Sequence, residues 1–239
     1  MSNAPIVLIR LGDPAPATRV RVGDYAQWFQ RAIPEPLGVV DLRDPADDLP
    51  TDAAGFIIMG SPLAVYDDHP WMPRALDAAR QILDSGRPAL GVCFGHQLFA
   101  VARGGHVGRN ASVEVGTVDV ELAPSAADDP LFGAFSGALR VNSSHDDTVL
   151  RLPEGPQAPQ VLGSSDRDRH QVLRWGPRAW SVQFHPEMRV AETVLSVAWR
   201  SPRLLAEGGD PAAVEAAVVD APDGVRLLER FVSLARQEA

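Results

Sequence analysis

The hydrophobic positions in the first half of the chain form short apolar runs, separated by longer segments with helical spacing. The apolar runs lack the alternation of a half-exposed strand, so they predict strands buried on both faces of a parallel sheet. The predicted strands are residues 6–11, 37–42, 55–60 and 89–92, and the predicted helices are 24–32, 71–85 and 96–103. Strands that alternate with helices indicate βαβ units with right-handed crossovers.

The second half of the chain has shorter, partly alternating strands that are joined by turns. This pattern predicts a mixed or antiparallel extension of the sheet rather than a second domain. The predicted strands are residues 113–122, 140–143, 161–164, 172–175 and 179–184, and the predicted helices are 191–200, 211–219 and 224–237. We therefore expect a single domain over residues 1–239, with the helices from about residue 190 onward as part of it.

Composition narrows the class of protein. The net charge of -9 argues against nucleic acid or an anionic membrane as the main partner. All 22 basic residues are arginine, which excludes lysine-based catalysis. No apolar stretch approaches the roughly 18 residues of a membrane-spanning helix, and the N-terminus lacks the basic region of a signal peptide. A single cysteine cannot form an internal disulfide, so the expected location is the reducing cytoplasm.

Residues 88–102 carry the candidate chemistry. An apolar run leads into Gly-Val-Cys-Phe-Gly at 91–95, and a helical pattern follows. This order predicts a nucleophile elbow, with Cys93 where a lipase carries serine. At the N-terminus of a helix, the helix dipole and unpaired N–H groups favour the thiolate, which is the reactive form of cysteine. Taken alone, the pattern leaves open whether Cys93 is a nucleophile or a structural hydrophobic residue.

A cysteine nucleophile needs a base, and the base needs an orienting partner. His185 follows an apolar run, and the proline after it favours an extended backbone at His185. Residues i and i+2 of an extended segment share a face, so Glu187 could reach the imidazole nitrogen that is turned away from the thiol. The alternative interpretation is a surface His-Pro-Glu turn.

Acyl transfer also needs donors for the developing oxyanion. The backbone N–H of Phe94, just after the cysteine, is one candidate. Gly60 is a second, because it ends a parallel strand that is predicted to neighbour the strand before Cys93. A plain turn is the alternative for Gly60. Of the other histidines, His96 is expected to be structural, and the remaining ones at 69, 106 and 170 are expected at the surface.

Together these motifs resemble the class I glutamine amidotransferases, the family with a Cys-His-Glu triad, and within it the stand-alone, GMP synthase-like branch. The resemblance covers residues 56–188. It rests on Gly-Val-Cys-Phe-Gly-His-Gln at 91–97, Gln-Phe-His-Pro-Glu at 183–187, Gly-Gly-His-Val-Gly-Arg-Asn at 104–110 and Ser-Ser-His-Asp-Asp at 143–147. It implies a flavodoxin-like three-layer α/β/α sandwich with a mostly parallel central sheet and a small antiparallel extension.

The resemblance implies that Cys93 attacks the γ-carboxamide of glutamine or of a related γ-glutamyl compound. His185 would relay the proton and Glu187 would orient His185. Ammonia or an amine would leave, and water would resolve the γ-glutamyl thioester to glutamate. Gly60 and Phe94 match the oxyanion-hole positions of the family.

The resemblance also implies a set of substrate contacts. Gln97, Ser144 and the backbone around Asp146 match positions that hold the α-amino and α-carboxylate groups, and His145 is placed with them as a recurrent residue of the motif. Many members have glycine where this chain has Asp146. Its carboxylate is expected to alter how the α-amino end of the substrate is held.

The sequence shows neither metal-ligand spacing nor a phosphate-binding loop, so no cofactor is expected. It is also too short to include the synthetase that would consume ammonia. Two enzyme hypotheses stay open: a glutaminase that docks to a separate synthetase subunit, or a self-sufficient hydrolase of a γ-glutamyl conjugate. The intact triad argues against a non-catalytic binding or regulatory module. The sequence leaves the oligomeric state open, with a homodimer among the alternatives.

Overall fold

The computed structural model describes residues 4–237, in which nine strands form one sheet. The strands are β1 (Ile6–Arg10), β2 (Leu37–Asp41), β3 (Gly55–Ile58), β4 (Ala89–Val92), β5 (His106–Leu122), β6 (Ala138–Arg151), β7 (Gln160–Ser164), β8 (Val172–Gly176) and β9 (Ala179–Val182). The α-helices are α1 (Pro16–Val22), α2 (Tyr25–Ala32), α3 (Met72–Asp84), α4 (Phe94–Ala102), α5 (Val190–Ala206), α6 (Pro211–Ala216) and α7 (Pro222–Arg236).

The parallel part of the sheet matches the prediction from the apolar runs. The strand order is β2-β1-β3-β4-β9-β8-β7-β5-β6, and the first five strands are mutually parallel. Strands β3 and β4 are buried at every position, as continuous apolar runs require. The carboxyl ends of β3, β4 and β9 therefore lie side by side at one edge of the sheet.

The remaining strand pairs, from β9 outward to β6, are antiparallel. Strands β5 and β6 form a hairpin of 17 and 14 residues. The sequence pattern predicted only parts of both, because an irregularity between Arg109 and Glu114 shifts the register and interrupts the alternation. The α/β class with a parallel core and an antiparallel extension is confirmed, and the extension is larger than predicted.

Helices cover both faces of the sheet, which divides the apolar core into two layers. On β1, alternate residues face opposite sides, so Ile6 and Leu8 pack with α2 and α7, while Val7 and Ile9 pack with α3 and α4. The largest buried side chains on the α2 and α7 side include Phe29 and Phe231. This arrangement is the three-layer sandwich that the family resemblance implies.

Two helices differ from the prediction. Helix α1 was not predicted because none of its residues is buried, so it shows no apolar periodicity. Helix α5 continues to Ala206, well past the predicted end, although Pro202 lies inside it. Both helices flank the candidate site. Between residues 4 and 237, no helix combines the length and apolar character needed to cross a membrane.

Candidate active site

Cys93 lies in the sharp turn between β4 and α4, as the sequence predicts. Its φ of 52° is the one positive value at a non-glycine position in the described part of the chain, and such a conformation costs on the order of 1–3 kcal/mol. The backbone N–H of Cys93 donates to the carbonyl of Val182, the last residue of β9, at 2.8 Å. The elbow is thus held by the neighbouring strand, and it presents the cysteine at the carboxyl edge of the sheet.

The two glycines that bracket the elbow are required by close backbone packing. A Cβ at Gly91 would lie 2.6 Å from the carbonyl oxygen of Gly95. A Cβ at Gly95 would lie 2.4 Å from the carbonyl oxygen of Ile58 at the end of β3. Because backbone atoms cannot move aside easily, only glycine lets α4 start this close to the two strands.

His185 and Glu187 form the pair that the sequence predicts, although the backbone between them differs. The Nδ1 atom of His185 lies 2.7 Å from Oε1 of Glu187, and both side chains are buried. The backbone N–H of His185 donates to Asn142 on β6, and a turn follows in which the N–H of Met188 bonds back to His185. A turn, rather than an extended segment, therefore brings the carboxylate to the imidazole.

Cys93 and His185 shift each other's proton affinity. Burial raises the pKa of the Cys93 thiol, but the charge of His185 and a hydrogen bond from it outweigh burial, so the net pKa is below its ordinary value. Burial lowers the pKa of His185, whereas the charges on Glu187 and Cys93 raise it, to about 10 overall. Each group therefore stabilises the charged form of the other, and a thiolate beside an imidazolium is the reactive state of a cysteine nucleophile.

Gly60 and Phe94 flank this pair. A Cβ at Gly60 would lie 2.8 Å from Cε1 of His185 and 3.8 Å from Cβ of Cys93, so the backbone of Gly60 borders both side chains. Phe94 is the first residue of α4, where a backbone N–H has no partner within the helix. Strands β3, β4 and β9 thus bring Gly60, Cys93 and His185 together, and the predicted neighbourhood of β3 and β4 is confirmed.

Two clefts meet at Cys93 and share Arg200 as a wall. The polar cleft encloses about 250 Å³ and is lined by polar and charged groups, chiefly Gln97, His145, Asp146, Asp147 and Arg200. The aromatic cleft lies on the other side of Cys93 and is lined by Tyr25, Trp28, His185, Trp199 and Arg200. The sequence predicted Gln97, His145 and Asp146 in the polar cleft and His185 in the aromatic cleft. It indicated neither Arg200 nor the aromatic side chains.

Two of the predicted substrate contacts are already hydrogen-bonded within the protein. The amide nitrogen of Gln97 donates to the carbonyl of Asp147 at 3.0 Å and to Oε1 of Gln183 at 3.1 Å. The hydroxyl of Ser144 accepts from Nε of Arg200 at 2.8 Å. These bonds orient Gln97 in the polar cleft, whereas Ser144 lines the aromatic cleft and holds Arg200 there.

Asp146 is surrounded by arginines. Arg200 and Arg203 from α5 both bind its carboxylate, and Arg109 lies 3.6 Å from it. Burial raises the pKa of Asp146, but these positive charges, Arg200 first, lower it below its ordinary value. The sequence could not indicate Arg200, because its partner Ser144 lies 56 residues away on another element.

His145 is buried and bonded through both ring nitrogens. Its Nε2 lies 2.9 Å from Oε2 of Glu114, and its Nδ1 lies 3.0 Å from the carbonyl of Asp147. Burial lowers the pKa of His145, but the hydrogen bond and charge of Glu114 raise it above its ordinary value. Removing either member would leave an uncompensated buried charge, so the pair fixes β6 where it borders the polar cleft.

The other histidines are mostly where the sequence places them. His96 is fully buried and its Nδ1 lies 2.8 Å from the hydroxyl of Ser181. Burial lowers the pKa of His96 to about 3, so its ring is neutral. The surface prediction for His170 is wrong, because this residue is buried and its Nδ1 donates to the carbonyl of Val149. Across residues 4–237, no group of three or more His, Cys, Asp or Glu side chains could hold a metal ion.

Comparison with known proteins gives one family. A family model described as glutamine amidotransferase class-I matches residues 35–196. The glutamine-hydrolyzing GMP synthase of Aeropyrum pernix is 35% identical over 173 residues, which are 70% of this chain and 31% of that protein. A single subunit of the glutamine-hydrolyzing GMP synthase of Halobacterium salinarum is 33% identical over 183 residues, or 71% of this chain and 87% of that subunit.

Two further similarities bear on activity and fold. Gamma-glutamyl peptidase 5 of Arabidopsis thaliana is 28% identical over 155 residues, which are 62% of this chain and 59% of that protein. The crystal structure of a glutamine amidotransferase from Thermotoga maritima matches with a TM-score of 0.74 at 21% identity, and the match covers 99% of this chain and 100% of that one. At this identity the structural likeness shows the fold alone.

Proposed function

The chain belongs to the class I glutamine amidotransferases, and we therefore propose that it hydrolyses the γ-amide bond of glutamine or of a γ-glutamyl compound. The observation that carries the proposal is the buried Cys93–His185–Glu187 arrangement at the carboxyl ends of adjacent strands. A thiolate, an imidazolium beside it and a carboxylate behind the imidazole are the three groups that cysteine-based acyl transfer needs.

In the proposed reaction the thiolate of Cys93 attacks the γ-carbonyl carbon and forms a tetrahedral intermediate. His185 donates its proton to the departing nitrogen, the C–N bond breaks, and a γ-glutamyl thioester remains. Neutral His185 then takes a proton from water, which attacks the thioester and releases glutamate and the thiolate. Glu187 holds the ring in the tautomer that directs Nε2 to the thiol.

The oxyanion of both tetrahedral intermediates is assigned to backbone donors. Phe94 supplies an N–H that points out of the first turn of α4, where the helix dipole also favours negative charge. Gly60 lies across the site from it, within contact distance of both reacting side chains. We assign the second N–H to Gly60.

The polar cleft is the proposed site for the amino-acid end of the substrate. Gln97 and the strand segment around His145 and Asp146 form its walls, and Arg200 adds a cation beside Cys93. The carboxylate of Asp146 is bound by Arg200 and Arg203, so we infer that it holds these arginines in the cleft wall rather than binding the α-amino group.

The fate of the released nitrogen distinguishes two versions of this function. The chain spans 31% of the Aeropyrum GMP synthase but 87% of the Halobacterium GMP synthase subunit. The second match favours, as an alternative, a chain that passes ammonia to a separate synthetase. The similarity to a gamma-glutamyl peptidase favours a hydrolase that acts alone.

The experiment that tests the function is glutamate release from glutamine and from γ-glutamyl methylamide, paired with mass-spectrometric detection of labelling by a glutamine-like chloroketone. Release from either substrate supports hydrolysis by the chain alone. Labelling of Cys93 without turnover supports a glutaminase that is activated by a partner. The proposal is contradicted if no glutamate is released from either substrate and Cys93 is not labelled.

Substituting Gly60 should displace the base. In Gly60→Ala the new methyl group would meet the ring of His185 at 2.8 Å, which forces the imidazole away from the thiol. Because a shift of about 1 Å at reacting groups costs on the order of 10²-fold, we expect kcat/KM for glutamate release to fall by about that factor. Gly176→Ala is the control, since a Cβ there meets nothing within 4 Å. Equal kcat/KM in the two variants would refute the placement of Gly60.

Replacing Glu187 by glutamine should lower turnover but preserve the nucleophile. The amide keeps the shape of the carboxylate but loses its charge and no longer enforces one tautomer of His185, so kcat should fall by about 10²- to 10⁴-fold. Labelling of Cys93 by the chloroketone should remain measurable. Glu215→Gln, on the exposed face of α6, is the matched control. Unchanged kcat in Glu187→Gln would remove Glu187 from the mechanism.

A further inference from the structure

His185 lines only one of the two clefts that meet at Cys93, the aromatic cleft. In the proposed reaction His185 must lie within hydrogen-bond reach of the departing nitrogen. The acyl part and the amine part of an amide extend in opposite directions from the carbonyl carbon. The amine part therefore enters the aromatic cleft when the glutamyl part occupies the polar cleft.

Aromatic and other apolar side chains form about half of the lining of the aromatic cleft, beside polar groups such as Ser61 and Ser144. Tyr25 and Trp28 from α2 pack edge to face, with ring centroids 4.9 Å apart. The indole N–H of Trp28 donates to the carbonyl of Val22, so its hydrogen-bonding group is already used. Pro14 and Met188 complete the inner wall. These apolar side chains gain free energy when an apolar group of a ligand covers them, which ammonia cannot do.

Trp199 forms the outer wall and is 61% exposed. It lies on α5 opposite the short helix α1, which contributes Thr18 to the same cleft. Most of the surface of the Trp199 indole is therefore in contact with water. A ligand that extends outward from Cys93 would cover it.

Arg200 is the charged group that lines this cleft, and it limits which substituents the amine part of the ligand can bear. Arg200 is bound to the hydroxyl and carbonyl of Ser144 and to the carboxylate of Asp146. Its cation would repel a second ammonium group on the ligand. Its donors are directed to protein oxygens, so a carboxylate on the ligand would compete with bonds already made. The aromatic cleft therefore favours an uncharged group.

We propose that the aromatic cleft binds the amine portion of a γ-glutamyl amide, and that this amine bears an uncharged apolar group, aromatic or branched. The inference rests on the proposed function and names its substrate class. The C–S bond to Cys93 forms, the C–N bond breaks with the proton of His185 going to nitrogen, and water resolves the thioester. One γ-glutamyl amide and one water thus give glutamate and an apolar amine.

The test compares three substrates: glutamine, γ-glutamyl methylamide and γ-glutamyl benzylamide. We expect kcat/KM for the benzylamide to exceed that for glutamine by at least about 10-fold, which corresponds to burying one apolar side-chain equivalent. In Trp199→Ala the ratio of benzylamide to glutamine kcat/KM should fall by about 10-fold. Leu205→Ala, an equally exposed apolar residue on α5 that does not line the cleft, should keep the wild-type ratio.

The outcomes separate this inference from the proposed function. Hydrolysis of glutamine with no preference for the benzylamide would overturn the inference and leave the proposed function standing. A preference that Trp199→Ala does not change would also overturn it, because the cleft would then not be the source of selectivity. Failure to release glutamate from all three substrates, together with no labelling of Cys93 by the chloroketone, would refute the proposed function itself.

Discussion

Replacing Cys93 with alanine should eliminate glutamate release, with kcat falling by about 10⁴-fold or more. No other side chain can form the thioester, since Cys93 is the only cysteine of the chain. The residual rate should then be that of water attack aided only by the oxyanion donors. Glutamate release under saturating substrate measures this directly.

The fold should survive this substitution. Alanine removes one sulfur atom from a position that already holds a positive φ of 52°, so backbone strain is much the same in both proteins. The packing that defines the elbow comes from Gly91 and Gly95, which are unchanged. Thermal unfolding should therefore stay within a few degrees of the wild type. A folded Cys93→Ala protein that keeps more than about one hundredth of the wild-type kcat would contradict the assignment of the nucleophile.

Replacing His185 with alanine should have the second largest effect, lowering kcat by about 10³-fold or more. The variant loses the proton donor for the departing nitrogen and the base for water. It also loses the cation that offsets burial of the thiol, so the pKa of Cys93 should rise above its wild-type value. His106→Ala, at an exposed position, is the control and should retain the wild-type rate. Comparable kcat in the two variants would refute the role of His185.

The same pair sets the pH dependence of the wild-type rate. On the acid side, kcat/KM should rise as the thiol ionises, at a pH below the ordinary thiol range because its pKa is lowered. On the alkaline side, it should fall near pH 10, where His185 loses the proton that the leaving nitrogen needs. The apparent pKa values on the two sides of this pH profile belong to Cys93 and His185 as a coupled pair rather than to either residue alone.

The parallel half of the fold and the elbow could be predicted because their signals are local. Strands β3 and β4 are buried on both faces, which leaves a continuous apolar run in the sequence. The elbow needs glycine at two fixed positions around Cys93, for the backbone contacts described above. Burial of a strand and close packing at the elbow each constrain residues that are neighbours in the chain. A single short segment of sequence therefore shows each pattern.

The walls of the two clefts could not be predicted, because they depend on contacts between distant segments. Arg200 meets Ser144 across 56 residues, and His145 meets Glu114 across 31. Helix α1 has no buried face, so nothing in its sequence marks it as a helix, yet it borders the aromatic cleft. The proposed reacting groups are therefore evident in the sequence, whereas the shape of the two clefts depends on tertiary packing.

The central claim is that Cys93 is a thiolate at neutral pH because His185 is protonated beside it. The direct measurement is the rate of alkylation of Cys93 by iodoacetamide as a function of pH, in the wild type and in His185→Ala. We expect an apparent pKa clearly below the roughly 8.5 of a free thiol in the wild type, and a higher value in the variant. A wild-type value at or above that of a free thiol, or the same value in both proteins, would contradict the claim.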